Sequence, residues 1–395
     1  MFITVKDIKP ENIQGTSANI IDQLFNGVDV DINEQTPFTY SKLVRYKTYN
    51  VNTDEVLTNK VTVGMMQTFY YNLKRIYERH PNPSSEYTTF KIPKKTHGFR
   101  EINAPLPALK EDMKNVAKAL QDFLMMLPHD SAWAYTEGRD VVHAMKEHTS
   151  NKSKWYLKID LHDFFGSCSK DFIINQLNQL YPFAYYKDVQ FTLANVNETL
   201  NMLANFATLD DGLPQGTPLS PILTNLIMIP FDYAINKMLY NLTKEDSLLK
   251  QKYIYTRYAD DIIISAKNKF DYNIILNALK DLFKDTPLTI NEEKTRFGSN
   301  AGRNWNLGIM CNKDDRTTIG YRRKQQLKAI INNYAQDRKH NNLWSIEDLY
   351  WLQGQLSWLQ NVEPDYYKGF CSYLTTKYDM NIPSAIKEDI KKHNN

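Results

Sequence analysis

No run of about 18 consecutive apolar residues occurs in the chain, so hydropathy predicts no helix that crosses a membrane. The opening MFITVKDIKPENIQG lacks the basic start and apolar stretch of a secretory leader, and the expected location is the cytoplasm. Cysteine is scarce. Cys168, Cys311 and Cys371 lie far apart with no CxxC or Cys/His spacing, which excludes a disulfide framework and a zinc cluster. Neither sign of charge dominates, and a net charge of +3 does not by itself announce a nucleic-acid partner. No internal repeat or low-complexity tract is present, which excludes a solenoid or a collagen-like chain.

What is present is a 395-residue chain, 42% hydrophobic, enough for two or three packed domains. Basic residues cluster at Lys94-Lys95, at Arg322-Arg323-Lys324 with Lys328, and at Arg338-Lys339; each cluster alone reads as a solvated face. Residues 1–85 are the least legible, apart from a helix over Val63 to Arg79 that stops before His80-Pro81-Asn82-Pro83. TTFKIPKK and FREINAP flank Thr96-His97-Gly98 as a hairpin, and Pro107 to about Leu127 reads as one amphipathic helix.

Lys154 to Ile159 reads as a strand leading into Asp160 and a Phe164-Phe165 pair. Helices are predicted over Phe172 to Leu180 and Val196 to Ala207. After the turn formers Asp210 to Pro218, Ser220 is expected to cap a helix with Pro221 at its first position, ending or bending at Pro230. Tyr253 to Tyr258 and Ile262 to Ser265 are strands joined through Ala259-Asp260-Asp261, with a helix from about Tyr272 to Phe283. Beyond Thr317 the pattern is helical, with a basic face over Tyr321 to Tyr334 and a Ser345/Asp348 capping box.

Asp160, Asp260 and Asp261 are the residues that carry chemistry. Nucleotidyl transfer uses hard oxygen ligands to hold two divalent ions about 4 Å apart, and carboxylates at the ends of neighbouring strands can do so. Asp-Asp in a turn is, by itself, equally well ordinary turn chemistry.

The surrounding blocks decide between these readings. From Lys91 to about Cys311 the sequence resembles the reverse transcriptase family. FKIPKKTHGFREI is similar to the fingers hairpin that clasps an incoming triphosphate, implying that role for Lys94, Lys95 and Arg100. WYLKIDLHDFFGS resembles the first catalytic block, with Asp160 as metal ligand and Phe165 where a ring blocks a ribose 2′-hydroxyl. LPQGTPLSPILTNL implies that Gln215 and Gly216 lie against template and nascent pair; a side chain at Gly216 would hinder that approach. YTRYADDIIIS resembles the catalytic turn. NEEKT implies Lys294 as the acid that protonates leaving pyrophosphate, and NWNLGIM with Trp305 resembles the primer grip.

The resemblance implies an α+β right-hand polymerase with fingers, an antiparallel palm sheet and a helical thumb. The expected division is 1–85 as an N-terminal extension, 86–317 as fingers and palm, and 318–395 as thumb and tail, with no room for a ribonuclease H, integrase or endonuclease domain. Two Mg²⁺ ions, or Mn²⁺ in their place, are the implied cofactors. The implied partners are dNTPs, an RNA template, the DNA product and a cognate noncoding RNA, with Arg322, Arg323, Lys324 and Lys328 touching nucleic acid. A second copy or a partner protein stays open, and no membrane is expected.

The compact plan resembles bacterial enzymes: those of retrons, group II introns, diversity-generating elements and phage defence. Intact Ser220-Pro221 counts against the diversity-generating type. Retron enzymes carry Asn-Ala-x-x-His before the first catalytic block and Val-Thr-Gly after the fourth, where this chain has His143-Ala144-Met145-Lys146-Glu147-His148 and Asn306-Leu307-Gly308. These departures favour a defence-associated enzyme of the abortive-infection or unknown-group type. The alternatives are a retron or intron enzyme, untemplated or tyrosine-primed synthesis on the same site, and an inactive RNA-binding protein with a polymerase fold.

Overall fold

The computed structural model describes residues 61–93, 98–187, 195–245, 251–301, 305–312 and 314–394. Lys94, Lys95 and residues 1–60 lie outside them, and Trp305 is described by its backbone alone.

Thr62 starts the first described helix, its hydroxyl accepting from the Met65 amide, and α1 runs Val63–Arg79 as expected. Its buried Met66, Phe69, Leu73 and Ile76 follow helical spacing and enter the same core as Phe183, Leu200 and Leu203. α1 is therefore packed into the body that follows it. β1 (Tyr87–Pro93) and β2 (Phe99–Pro105) form the expected antiparallel hairpin. α2 (Pro107–Lys118) is shorter than its pattern suggests, because the chain passes at Ala119–Phe123 into a π turn.

α3 (Val141–Ser150) precedes β3 (Trp155–His162), which is longer than expected, so that Asp160 lies inside the strand. α4 (Lys170–Leu177), α5 (Phe183–Tyr186) and α6 (Val196–Ala207) then cover one face. α7 (Ser220–Ile227) corrects the cap assignment: Ser220 is its first residue, and the Thr217 hydroxyl accepts from the Ser220 amide at 3.1 Å. α8 (Ile229–Glu245) restarts with Pro230 in its first turn, where a missing N–H goes unnoticed.

β4 (Tyr253–Tyr258), β5 (Asp261–Ala266) and β6 (Thr289–Ser299), the last preceded by α9 (Tyr272–Phe283), complete the sheet. Its order is β4-β5-β3-β6, and every pairing is antiparallel. Side chains alternate across it. Leu157, Ile159, Ile262 and Ile264 face the large core, whereas Tyr156 and Ile263 face a second core shared with the C-terminal helices.

Short strands β7 (Trp305–Asn306), β8 (Ile309–Cys311) and β9 (Thr317–Thr318) lead into α10 (Tyr321–Lys339), α11 (Ile346–Val362), α12 (Pro364–Tyr378) and α13 (Ile382–Asn394). The predicted capping box is present, Ser345 Oγ accepting from the Asp348 amide at 3.1 Å. Leu349, Leu352, Leu356 and Leu359 are all buried along α11. Truncating one of them to alanine would cost about 2–5 kcal/mol. The architecture is α+β: a projecting hairpin, an antiparallel sheet and a helical bundle, the right-hand arrangement the sequence implied.

Candidate active site

The hairpin between β4 and β5 is as tight as an antiparallel link can be. Tyr258 pairs with Asp261, leaving only Ala259 and Asp260 in the turn. Such two-residue turns need a positive φ, and Ala259 adopts 56°. Outside glycine that conformation costs roughly 1–2 kcal/mol, and the surroundings hold it in place. The Arg257 guanidinium is fully buried and donates to the Ala259 carbonyl at 3.2 Å. Its other nitrogens clasp Asp232 with two bonds of 2.8 Å, and Tyr255 adds its hydroxyl to the same carboxylate at 2.6 Å.

The sheet brings the carboxylates to one end. Asp160 is the register partner of Asp261 on one side and of Asn291 on the other. Between Lys158 and Asp160 the β3–β6 register shifts, since Lys158 pairs with Arg296, and residues 292–295 bulge from the ladder. The bulge aims Lys294 back, its Nζ lying 2.9 Å from Asp160 Oδ2. Lys158, two residues before Asp160 on the same face, places its Nζ 2.9 Å from Asp261 Oδ1. Burial, and then the neighbouring Asp261 charge, raise Asp260 above the ordinary carboxylate range. Asp261 is also raised, by burial and the Asp160 charge, against the pull of Lys158.

A divalent ion suits this donor set in kind: three carboxylates, hard oxygens throughout, with too little positive charge for their burial. Among the described residues no three His, Cys, Asp or Glu side chains are gathered as a preformed cage. The two lysine ammoniums balance Asp160 and Asp261 instead, so an ion held by these carboxylates would take the place of Lys158 and Lys294.

The loop before α7 docks on the fingers hairpin, with the Asn103 amide donating to the Gln215 carbonyl at 2.8 Å. Gly216 has φ 113°, and a Cβ there would stand 2.8 Å from Ile102 Cγ2 and 3.2 Å from the Asn103 carbonyl. Close approach to β2, within the protein, is therefore what requires glycine. Arg100 is exposed on β2, opposite Ile92. Phe165 is half-buried and edge-on to Phe164, and its carbonyl accepts from the Leu213 amide at 3.0 Å. The first catalytic block and the loop before α7 are thus tied together.

The model of the reverse transcriptase (RNA-dependent DNA polymerase) family matches residues 92–334, which run from the end of β1 through β2, the four-stranded sheet and most of α10. This chain belongs to that family. The reverse transcriptase is 26% identical over 318 residues to the retron Ec83 reverse transcriptase of Escherichia coli, covering 78% of this chain and 91% of that one. It is 27% identical over 319 residues to the retron Ec73 reverse transcriptase of the same species, covering 77% and 90%. Among solved structures it overlaps in part with telomerase from Candida albicans in complex with a TWJ fragment of telomeric RNA. That overlap is 13% identical, with a TM-score of 0.45 over 76% of this chain and 56% of that one. The protein is an RNA-directed DNA polymerase, and no helix among its described residues is long and apolar enough to cross a membrane.

In the C-terminal bundle of the reverse transcriptase, the four basic residues of α10 separate. Arg322 is exposed. Arg323 donates to Gln355 at 3.1 Å, and Lys324 is mostly buried, 2.6 Å from Glu363 and 4.0 Å from the Tyr366 ring centroid. Lys328 lies 6.0 Å from the rings of both Phe370 and Tyr373. Arg323 and Lys324 thus have internal partners on α11, α12 or the turn between them.

Sequence reasoning missed Lys158, which strand alternation could have found, and Tyr135, for which no motif spoke. The Tyr135 phenol is raised by burial and by the Asp260 and Tyr258 charges, while Arg100 pulls it down. It therefore lies within electrostatic reach of both the catalytic turn and the fingers.

Proposed function

We propose that this reverse transcriptase copies RNA into DNA on a two-Mg²⁺ site made by Asp160, Asp260 and Asp261, working with a cognate noncoding RNA in bacterial antiphage defence. The observation that carries the site assignment is the register pairing of Asp160 with Asp261 beside the Asp260 turn. When bound, the ions supply activation of the primer 3′-hydroxyl and charge neutralisation on the triphosphate. Lys294, which bonds Asp160 at 2.9 Å, would give a proton to leaving pyrophosphate. Arg100, with Lys94 and Lys95, would neutralise the triphosphate from the fingers side. Phe165 stands on the loop after β3, where its ring would exclude a 2′-hydroxyl, and Gln215 and Gly216 line the template side. Arg322 and Lys328, with Arg323, Lys324 and Trp305, would contact the nucleic-acid duplex. The division at 86 and 318 into fingers with palm and thumb belongs to the same reading. Likeness to retron enzymes supports an RNA partner, and the departures at His143–His148 and Asn306-Leu307-Gly308 support a defence role.

The test is to purify the protein with the nucleic acid it retains, supply dNTPs and Mg²⁺, and sequence the DNA made by wild type and Asp260→Ala. DNA complementary to a co-purified RNA, absent from the variant, is the expected result. Aspartate-dependent DNA without an RNA complement would replace templated copying with untemplated synthesis.

A further inference from the structure

Tyr135 has an exposed side chain on a backbone that is otherwise closely held. Its φ is 57°, a left-handed conformation unusual for an aromatic residue, and 44% of its surface is exposed between buried Ala132 and Ala134 on one side and the Arg139 turn on the other. Arg139 Nη1 lies within 3.0 Å of the carbonyls of His129, Asp130 and Ala132. Asn225 Nδ2 donates to the Ala134 carbonyl at 2.8 Å. Such convergence on one short loop fixes the place of the backbone that carries the ring.

That place is set by the sheet. Ala132 forms a parallel bridge with Arg257 at the edge of β4, with the Trp133 amide donating to the Arg257 carbonyl at 2.8 Å. Three residues on from each bridge partner come Tyr135 and Asp260. The charges of Asp260 and of Arg100 both reach the Tyr135 hydroxyl. The exposed ring of Tyr135 thus belongs to a loop seated on β4, the strand that runs into the Asp260 turn.

We propose that Tyr135 holds and checks the nascent base pair, its ring packing on the pair and its hydroxyl donating to a minor-groove acceptor, purine N3 or pyrimidine O2. These acceptors occupy similar positions in every correct pair, so a single donor there reads pair geometry without reading sequence. A phenol at neutral pH is such a donor. This inference rests on the assignment of the active site to Asp160, Asp260 and Asp261.

The experiment measures single-nucleotide incorporation, correct and mismatched, on a defined RNA template with a DNA primer for wild type, Tyr135→Phe, Tyr135→Ala and Asp260→Ala. Tyr135→Phe keeps the ring and serves as the folding control, its melting temperature matching wild type. Its misincorporation frequency is expected to rise several-fold. Tyr135→Ala is expected to raise the KM for the correct dNTP about tenfold, with a smaller change in kcat, since a base-stacking contact is lost. Wild-type discrimination in Tyr135→Phe, from an enzyme whose synthesis requires Asp260, would overturn the inference alone. Synthesis that survives Asp260→Ala would overturn the site assignment, and the inference with it.

Discussion

Asn225 and Arg257 meet at 3.2 Å in the interior, and together they hold two left-handed residues beside the active site. Asn225 bonds the carbonyl before Tyr135, and Arg257 bonds the carbonyl of Ala259. One buried network thus braces both the Asp260 turn and the Tyr135 loop that bridges to β4.

Breaking this network from one side should be severe. Arg257→Met leaves the Asp232 carboxylate buried without its counter-charge, and a loss of about 3–5 kcal/mol is expected in urea unfolding. Adding Asp232→Leu should recover part of that loss, because the stranded charge is removed. A single variant within about 1 kcal/mol of wild type would show that the pair does not hold the turn.

Asp260 is expected to trade stability for activity. Its ionised form is opposed by burial and by Asp261, so Asp260→Asn should raise the melting temperature in EDTA by roughly 1–3 °C. DNA synthesis should fall by at least about a hundredfold. Mg²⁺ should raise the wild-type melting temperature and leave the variant little changed. A variant that melts lower in EDTA would contradict the repulsion.

Phe165→Ala should admit ribonucleotides. The ratio of CTP to dCTP incorporation is expected to rise by about tenfold or more, as for other steric exclusions. An unchanged ratio would assign the Phe165 ring to packing against Phe164 alone.

His148 gives a pH dependence of stability. It is fully buried between the hydroxyls of Ser265, at 2.6 Å, and Thr256, at 2.8 Å, and burial lowers its pKa to about 3 from 6.5. Above pH 6.5 both folded and unfolded states hold it neutral. As pH falls from 6.5 towards 3 only the unfolded chain takes up the proton, so stability is lost at about 1.4 kcal/mol per pH unit. Between pH 7.5 and 5.5 the wild type should lose about 1.4 kcal/mol more than His148→Gln in urea unfolding. Equal losses would place the protonation elsewhere.

The chain order of motifs made the three aspartates, the α1 and α6 boundaries and the hairpin at β1 and β2 legible from residues alone. Local chemistry explains why. A cap at Thr62, alternating apolar residues at Leu157 and Ile159, and turn formers around Asp260 act within a few positions of themselves. Ser220 misled because the hydroxyl that receives the first free amide of α7 belongs to Thr217, and the Ser220 hydroxyl bonds that of Thr217 at 2.7 Å. The ion pair of Lys324 with Glu363 was not legible, because the two residues are 39 apart in the chain.

By itself, the sequence determined the family and the carboxylates, since those follow from residue types at set spacings. It also placed β3, β4, β5, α6 and α9, though not α3, β6 or the length of α8. The tertiary structure alone decided that a bulge in β6 aims Lys294 at Asp160, that Gly216 is required by its φ of 113° against Ile102 and Asn103, and that the Tyr135 loop bridges to β4. Each of these depends on contacts between segments distant in sequence, whose register is set by packing on two faces of one sheet.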